Sequence, residues 1–519
     1  MSITVASTVA PARRPMAGIL RNVTSNWAGI VINIGISFVL APFIVNHLGT
    51  VNYGIWTLMM QFTGYLWLFD FGVRESVVKY VAQYHASGEH EELDATVRTA
   101  LSVYSVVAGI ALCGVVGLTI ALPYAFNIPA EALTAARVTA LLTGATVALG
   151  FVFNVFAGIV MGLQLFYRMS KIFIAFSIAR ALATWFLLSI GYGIITLAVM
   201  QFAFSALSSL ILYRICLEQL PFLTIRLMRP ARERVAKLLN YGKYVLLANI
   251  GDKVIFATDS IVIGVFLPIS ALTYFAIGGT LIEHFRSFIT SLGMILNPLS
   301  SSLDAKKDTN SVAAVLMGGT KAAILLGLPV CIGFILLGDR FIGLWMGPEF
   351  AKQAGMVLAV LAAGHLIGLP YYSISGVLYG LNRHPMVAWS RVIEGVINLT
   401  LSIVLVRRFG LIGVALGTAI PHALVVAGVL PLVLPRFLPI NLGRYYLSTY
   451  VRPFVSAIPF WFACLFIGRV VQPPNVFSFL ACVAAGLPLY IVPCWFLAFT
   501  ASERQHLRGA LRRRLGAAA

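Results

Sequence analysis

Long apolar runs separated by short polar breaks follow one another from Trp27 to Phe499. Each run holds about 20 residues or more, enough to cross a hydrocarbon core of roughly 30 Å as a helix. Lipid admits only helices or a closed barrel, and these continuous runs lack the period-two alternation of barrel strands. The pattern predicts an all-α polytopic membrane protein with fourteen spans, at 24–46, 53–80, 98–122, 135–163, 172–190, 194–215, 244–267, 272–300, 312–337, 354–381, 386–406, 411–434, 453–470 and 476–499. Composition agrees: 60% of residues are hydrophobic and 11% charged, too little polar surface to cover a soluble particle of 519 residues.

Lysine and arginine set the expected orientation. With a cytoplasmic N-terminus the inner segments carry 24 of them and the outer ones five, Arg340, Lys352, Arg407, Arg408 and Arg469. The positive-inside rule then places both termini in the cytoplasm. The net charge of +19 is spread over cytoplasmic loops that can face anionic lipid, so it calls for no nucleic acid. The six cysteines have no paired spacing, which argues against a disulfide framework or a zinc site.

The phrase GIVMGLQ at 158–164 returns as GVLYGLN at 376–382. At a similar offset GYGIITLAV (191–199) meets RFGLIGVAL (408–416), and HLGTVNYGI (47–55) meets FLPISALTYFAI (266–277). Spans 1 to 6 therefore read as a weak copy of spans 7 to 12, two six-helix lobes related by an axis along the membrane normal. The expected organisation is a cytoplasmic tail (1–21), an N-lobe (22–216), a basic cytoplasmic linker (217–243), a C-lobe (244–434), two further spans (435–499) and a basic tail (500–519). Gly158 and Gly162, like Gly376 and Gly380, lie four apart on one helical face and suit close helix packing, with contact to cargo as the second reading.

Charges inside spans are costly, by roughly 3 kcal/mol at the bilayer centre, and mark interior faces. In DFGVRESVVK, Asp70 with Arg74 and Glu75 with Lys79 are spaced to pair along one helix face. Arg180 has no acidic neighbour in sequence. Further charges are Asp252, Lys253 and Asp259, then Glu283, His284 and Arg286, then Arg391 and Glu394. Arg74, Arg180 and Arg286, with Arg21, Lys253 and Arg391, are the candidates to line a cationic cavity. Asp70, Glu75, Asp252, Asp259, Glu283 and Glu394 are candidates for gating, ion pairing or coupling. No GxxxxGK[ST] loop, HExxH motif or large outer loop occurs, so an enzyme, a metal or a cofactor is not expected.

Arg21, the stretch FVLAPFIVNHLGTVNYGIWTL and then FDFGVRESVVKYVA, together with the duplicated halves, resemble the Wzx-type polysaccharide repeat-unit flippases of the multidrug/oligosaccharidyl-lipid/polysaccharide exporter superfamily. The resemblance implies a MATE-like fold, a bacterial inner-membrane location and a cargo of oligosaccharide joined through diphosphate to undecaprenol, moved from the cytoplasmic to the periplasmic leaflet. It also implies membrane lipid, a polysaccharide polymerase and a chain-length regulator as partners, and likens the last two spans to those of the related lipid II flippase. The competing expectations are a drug or metabolite cation antiporter of the same superfamily, and a non-transporting scaffold.

Overall fold

The computed structural model describes residues 16–227, 231–239, 258–505 and 508–509, with side chains from residue 32 onward apart from those of 291, 292 and 294. Among the described residues there are helices and no strand, as the apolar runs require. α1 (Met16–Leu66) passes through Gly49, whose φ of 74° and ψ of 168° are not helical. A 3₁₀ turn follows (Trp67–Asp70), and then α2 (Val73–Ser87), α3 (His90–Ala125), α4 (Ala130–Gly162), α5 (Phe166–Ser189) and α6 (Ile194–Gln219). α7 occupies 258–266. It leads to α8 (Ala271–Asp304), α9 (Thr309–Trp345), α10 (Pro348–Gly368), α11 (Pro370–Gly380) and α12 (His384–Ala423), the last interrupted at Gly410 with φ 55°. α13 (Leu442–Val471) and α14 (Val476–Ala498) complete the set.

Ten helices among the described residues are long and apolar enough to cross a membrane, so the chain is a multi-pass membrane protein. Two of them, α1 and α12, are each divided by a non-helical glycine. The single span expected at 53–80 is also divided. Phe71 (φ 50°) and Gly72 (φ 68°) adopt left-handed backbone between the 3₁₀ turn and α2, a conformation glycine tolerates and phenylalanine reaches only at a cost.

The chain forms two compact units. The first contains Asp70–Cys113 and Leu142–Lys243 together with the chain up to Phe43; the second contains Ile44–Phe69, Gly114–Leu141 and everything from Tyr244. In the first, the repeated phrase packs helix against helix: a Cβ on Gly158 would lie 3.0 Å from Val77, and one on Gly162 2.9 Å from Val81. The segment after α6 is fastened to α2 and α3. Asp94 accepts from the Thr224 N–H (2.6 Å) and hydroxyl (2.9 Å), Arg234 makes two hydrogen bonds to Glu92 (3.0 and 3.1 Å), and Ser76 donates to the Leu238 carbonyl (2.7 Å). Lys237 donates to the Tyr84 hydroxyl (2.5 Å) and lies 4.8 Å from the Tyr80 ring centre. Arg234 and Lys237 are thus engaged with protein partners, where charge counting alone assigned such loop cations to lipid.

In the second unit the other copy of the phrase does the same work. A Cβ on Gly376 would stand 2.4 Å from the Gly293 carbonyl oxygen, and one on Gly380 2.5 Å from that of Asn297, so α11 and α8 touch backbone to backbone. Both copies also end alike. Gln164 (φ 59°) and Asn382 (φ 55°) take the left-handed position, and the next N–H turns back to the carbonyl five residues earlier, Leu165 to Val160 (2.9 Å) and Arg383 to Leu378 (2.8 Å). The two related hairpins meet within this unit. Thr273 donates to the Thr50 carbonyl (2.5 Å), and a Cβ on Gly54 would lie 2.2 Å from the Ile269 oxygen.

Gly376→Ala or Gly380→Ala should therefore force α8 and α11 apart and lower stability by about 1–3 kcal/mol. Gly318→Ala, where nothing lies within 4 Å of the added carbon, should be silent. Thermal melting of the three variants in detergent checks this; indistinguishable midpoints would refute the close-approach account.

Candidate substrate site

A cavity of about 460 Å³ lies inside the second unit. Its walls come from the helix after Gly49 (Tyr53, Trp56, Gln61), α7 (Asp259), α8 (Phe275, Glu283, Arg286), α10 (His365) and α12 (Thr418). Arg286 donates to Glu283 at 2.6 Å, one turn away on α8. That pair is open on one side, with 19% of the arginine side chain and 52% of the glutamate exposed. On another wall Asp259 is buried and accepts from the Thr418 hydroxyl at 2.5 Å; Thr418 in turn accepts from the Asn398 amide at 2.9 Å. The cavity therefore holds one guanidinium, two carboxylates and an imidazole, a mixed rather than uniformly basic lining.

Arg391 and Glu394 are not among the residues lining this cavity. Both are buried in the packing of α12, joined at 3.0 and 3.2 Å, with the Arg391 guanidinium 3.8 Å above the Tyr371 ring. Glu394 also accepts from His422 at 2.9 Å, and the His422 ring stands 5.0 Å from that of His365 on the cavity wall. A carboxylate acceptor requires that the His422 Nδ1 carry the hydrogen, and the Leu361 carbonyl, 3.0 Å from His365 Nδ1, requires the same there. α10 approaches α12 closely enough for this because Gly364 and Gly368 carry no side chain: a Cβ would come within 2.5 Å of Ala419 and 2.2 Å of His422.

The first unit holds the remaining candidates. Asp70 and Arg74 do not form the expected pair one turn apart, because the helix breaks between them at Phe71 and Gly72. Arg74 instead turns to its neighbour Glu75 (2.7 Å), and Asp70 accepts from the buried Tyr104 hydroxyl. Glu75 is accordingly taken by Arg74, while Lys79 stands 5.0 Å from the Tyr80 ring. Arg180 on α5 donates to the neutral amide of Gln201 on α6. Asp252 and Lys253 lie outside the described residues, and of Arg21 only the backbone is described.

His365 and His422 were missed by sequence reasoning, since a single histidine in an apolar run carries no spacing signal. Lys321 on α9 was missed too. It is buried, and meets Glu503, beyond the end of α14, at 2.7 Å. Burial pushes the Glu503 carboxyl up, but the Lys321 hydrogen bond and the Thr500 N–H and hydroxyl outweigh it and hold the group below the usual carboxylate range.

The Arg391–Glu394 pair yields a stability test. Glu394→Leu leaves a buried guanidinium without its carboxylate and should cost about 3–5 kcal/mol, whereas Arg391→Met with Glu394→Leu should recover most of that loss. Melting of both variants in detergent reads the difference; a double variant as unstable as the single one would show that the pair is not what the guanidinium depends on.

Comparison with known proteins identifies the family and the fold. The family described as polysaccharide biosynthesis protein matches residues 19–304. The probable low-salt glycan biosynthesis flippase Agl15 of Haloferax volcanii is 27% identical over 38% of this chain, which spans 42% of that relative's length. The uncharacterized membrane protein EpsK of Bacillus subtilis is 22% identical over 96% of this chain and 98% of its own. Among solved structures, the lipid II flippase MurJ in an inward closed conformation superposes with a TM-score of 0.68 at 15% identity, covering 92% of this chain and 98% of MurJ. The chain belongs to the polysaccharide biosynthesis protein family and has the fold of the lipid II flippase MurJ.

Proposed function

We propose that this protein is a flippase that carries an oligosaccharide linked through diphosphate to undecaprenol from the cytoplasmic to the periplasmic leaflet of a bacterial inner membrane, for assembly of a surface polysaccharide such as O-antigen, capsule or exopolysaccharide. The observation that carries this reading is family membership over residues 19–304 joined to a MurJ-like fold over 92% of the chain. The proposed route is alternating access, with both termini cytoplasmic, fourteen spans and no coupled catalysis. A polysaccharide polymerase and a chain-length regulator are the proposed partners.

The ion pairs differ in how readily they could exchange for a diphosphate. A partly exposed pair such as Arg286–Glu283 or Arg74–Glu75 is worth about 0–1 kcal/mol, so an anionic cargo can take over the guanidinium at little cost. Breaking a buried pair such as Arg391–Glu394 costs several times more, about 3–5 kcal/mol. Arg180 is bound only by a neutral amide among the described residues and keeps its full charge for a phosphate. These magnitudes favour Arg74, Arg180 and Arg286 as cargo contacts and assign Arg391 to structure. With the cytoplasm negative, each negative charge carried outward gains about 2.3 kcal/mol per 100 mV, which can drive much of the step without a coupled ion.

One observation favours a second reading. Asp259 and Glu283 share the cavity wall, a disposition that suits a cation antiporter with a protonatable carboxylate. That reading expects Asp259→Asn and Glu283→Gln to abolish efflux of a cationic dye.

For the flippase, alanine at Arg74, Arg180 or Arg286 should abolish polymer export while the protein still accumulates in the membrane, and alanine at Arg391 should instead reduce accumulation. Surface polysaccharide and membrane protein are measured together in cells. Wild-type export from all three variants would eliminate these arginines as cargo contacts.

A further inference from the structure

Two of the five basic residues expected on the outer face come together in space. Arg340 near the end of α9 and Arg469 near the end of α13 line one cleft of about 600 Å³ in the second unit, away from the cavity already described. The rest of the wall is largely apolar, with Leu336, Leu337, Leu344 and Leu465, and Asp339 is the carboxylate present. Neither guanidinium forms an ion pair among the described residues. Arg340 donates to the Gly468 carbonyl at 2.6 Å, and Asp339 is occupied by the Arg340 backbone N–H at 2.7 Å.

An arginine at a helix end in a membrane ordinarily extends to water. Arg340 also reaches across to the backbone of α13 inside the cleft, which holds one edge of its guanidinium there. Two guanidinium groups against one carboxylate leave the cleft with an excess of positive charge, and its leucine wall suits an anion that also has an apolar part. Guanidinium groups bind phosphate through paired charge-assisted hydrogen bonds, and the volume falls in the range of small-molecule sites, about 300–1,000 Å³.

We propose that this cleft binds the phosphodiester head of an anionic phospholipid, with Arg340 and Arg469 on the phosphate and the leucines against the first part of an acyl chain. The site joins α13 to α9 and α10, so an occupying lipid would tie the C-terminal pair of spans to the rest of the second unit. This holds whether or not the protein is a flippase.

Native mass spectrometry of the full-length protein in a mild detergent tests it, with titration by phosphatidylglycerol and by phosphatidylcholine. Wild-type protein should prefer phosphatidylglycerol at least tenfold. Arg340→Gln with Arg469→Gln should erase the preference, and Arg469→Gln alone, at an exposed position, should weaken it severalfold. The charge-matched pair Arg407→Gln with Arg408→Gln should leave it intact. Three results would overturn the proposal: an unchanged preference in the Arg340 and Arg469 variants, an equal loss in the Arg407 and Arg408 variant, which would mean diffuse charge, or displacement of the lipid by millimolar inorganic phosphate, which would mean a free-anion site.

Discussion

In hydrocarbon a backbone N–H or C=O without a partner costs several kcal/mol, and the rest of this structure is arranged around that constraint. Continuous helices satisfy it span by span. Most of the breaks within spans fall at residues that make the departure cheap, Gly49, Gly72 and Gly410; Phe71, beside Gly72, is the costly exception. The same constraint governs side chains. Asp259 is surrounded by hydroxyl groups, Asp70 is met by Tyr104, and Glu394 by a guanidinium and an imidazole.

Helix packing in lipid has no hydrophobic driving force of its own and relies on close contact. Glycine supplies that contact at both copies of the repeated phrase. Gly158 and Gly162 bring α4 against α2, Gly376 and Gly380 bring α11 against α8, and each phrase closes with a left-handed amide residue, Gln164 or Asn382. The local geometry has been kept where little more than the glycine spacing and the polar terminator survives in sequence.

How far the chain could be read without coordinates follows from the range of each interaction. The all-helical, multi-pass character, the glycine pairs and the Glu283–Arg286 pair depend on composition or on residues within a turn or two, and composition and spacing carry them. The Asp70–Arg74 pairing was also a local inference, and it failed because a helix-face argument presupposes an unbroken helix; the FDFG stretch breaks it. Partners from distant helices left no local mark: Gln201 for Arg180, Tyr104 for Asp70, Thr418 for Asp259 and Glu503 for Lys321. The buried His365 and His422 belong to the same class, being brought together by the crossing of α10 and α12.

Family membership and the MurJ-like fold underlie the proposed reading of the protein as a carrier of a phosphate-bearing lipid, with the partly exposed arginines as its proposed contacts. Reconstitution into liposomes with a short lipid-linked oligosaccharide, scored by access of an external reagent to the sugar with and without an imposed potential, is the most direct measurement. The account expects protein-dependent transfer between leaflets that speeds up when the receiving side is positive. Leaflet distributions that stay the same with and without the protein at every potential would contradict it.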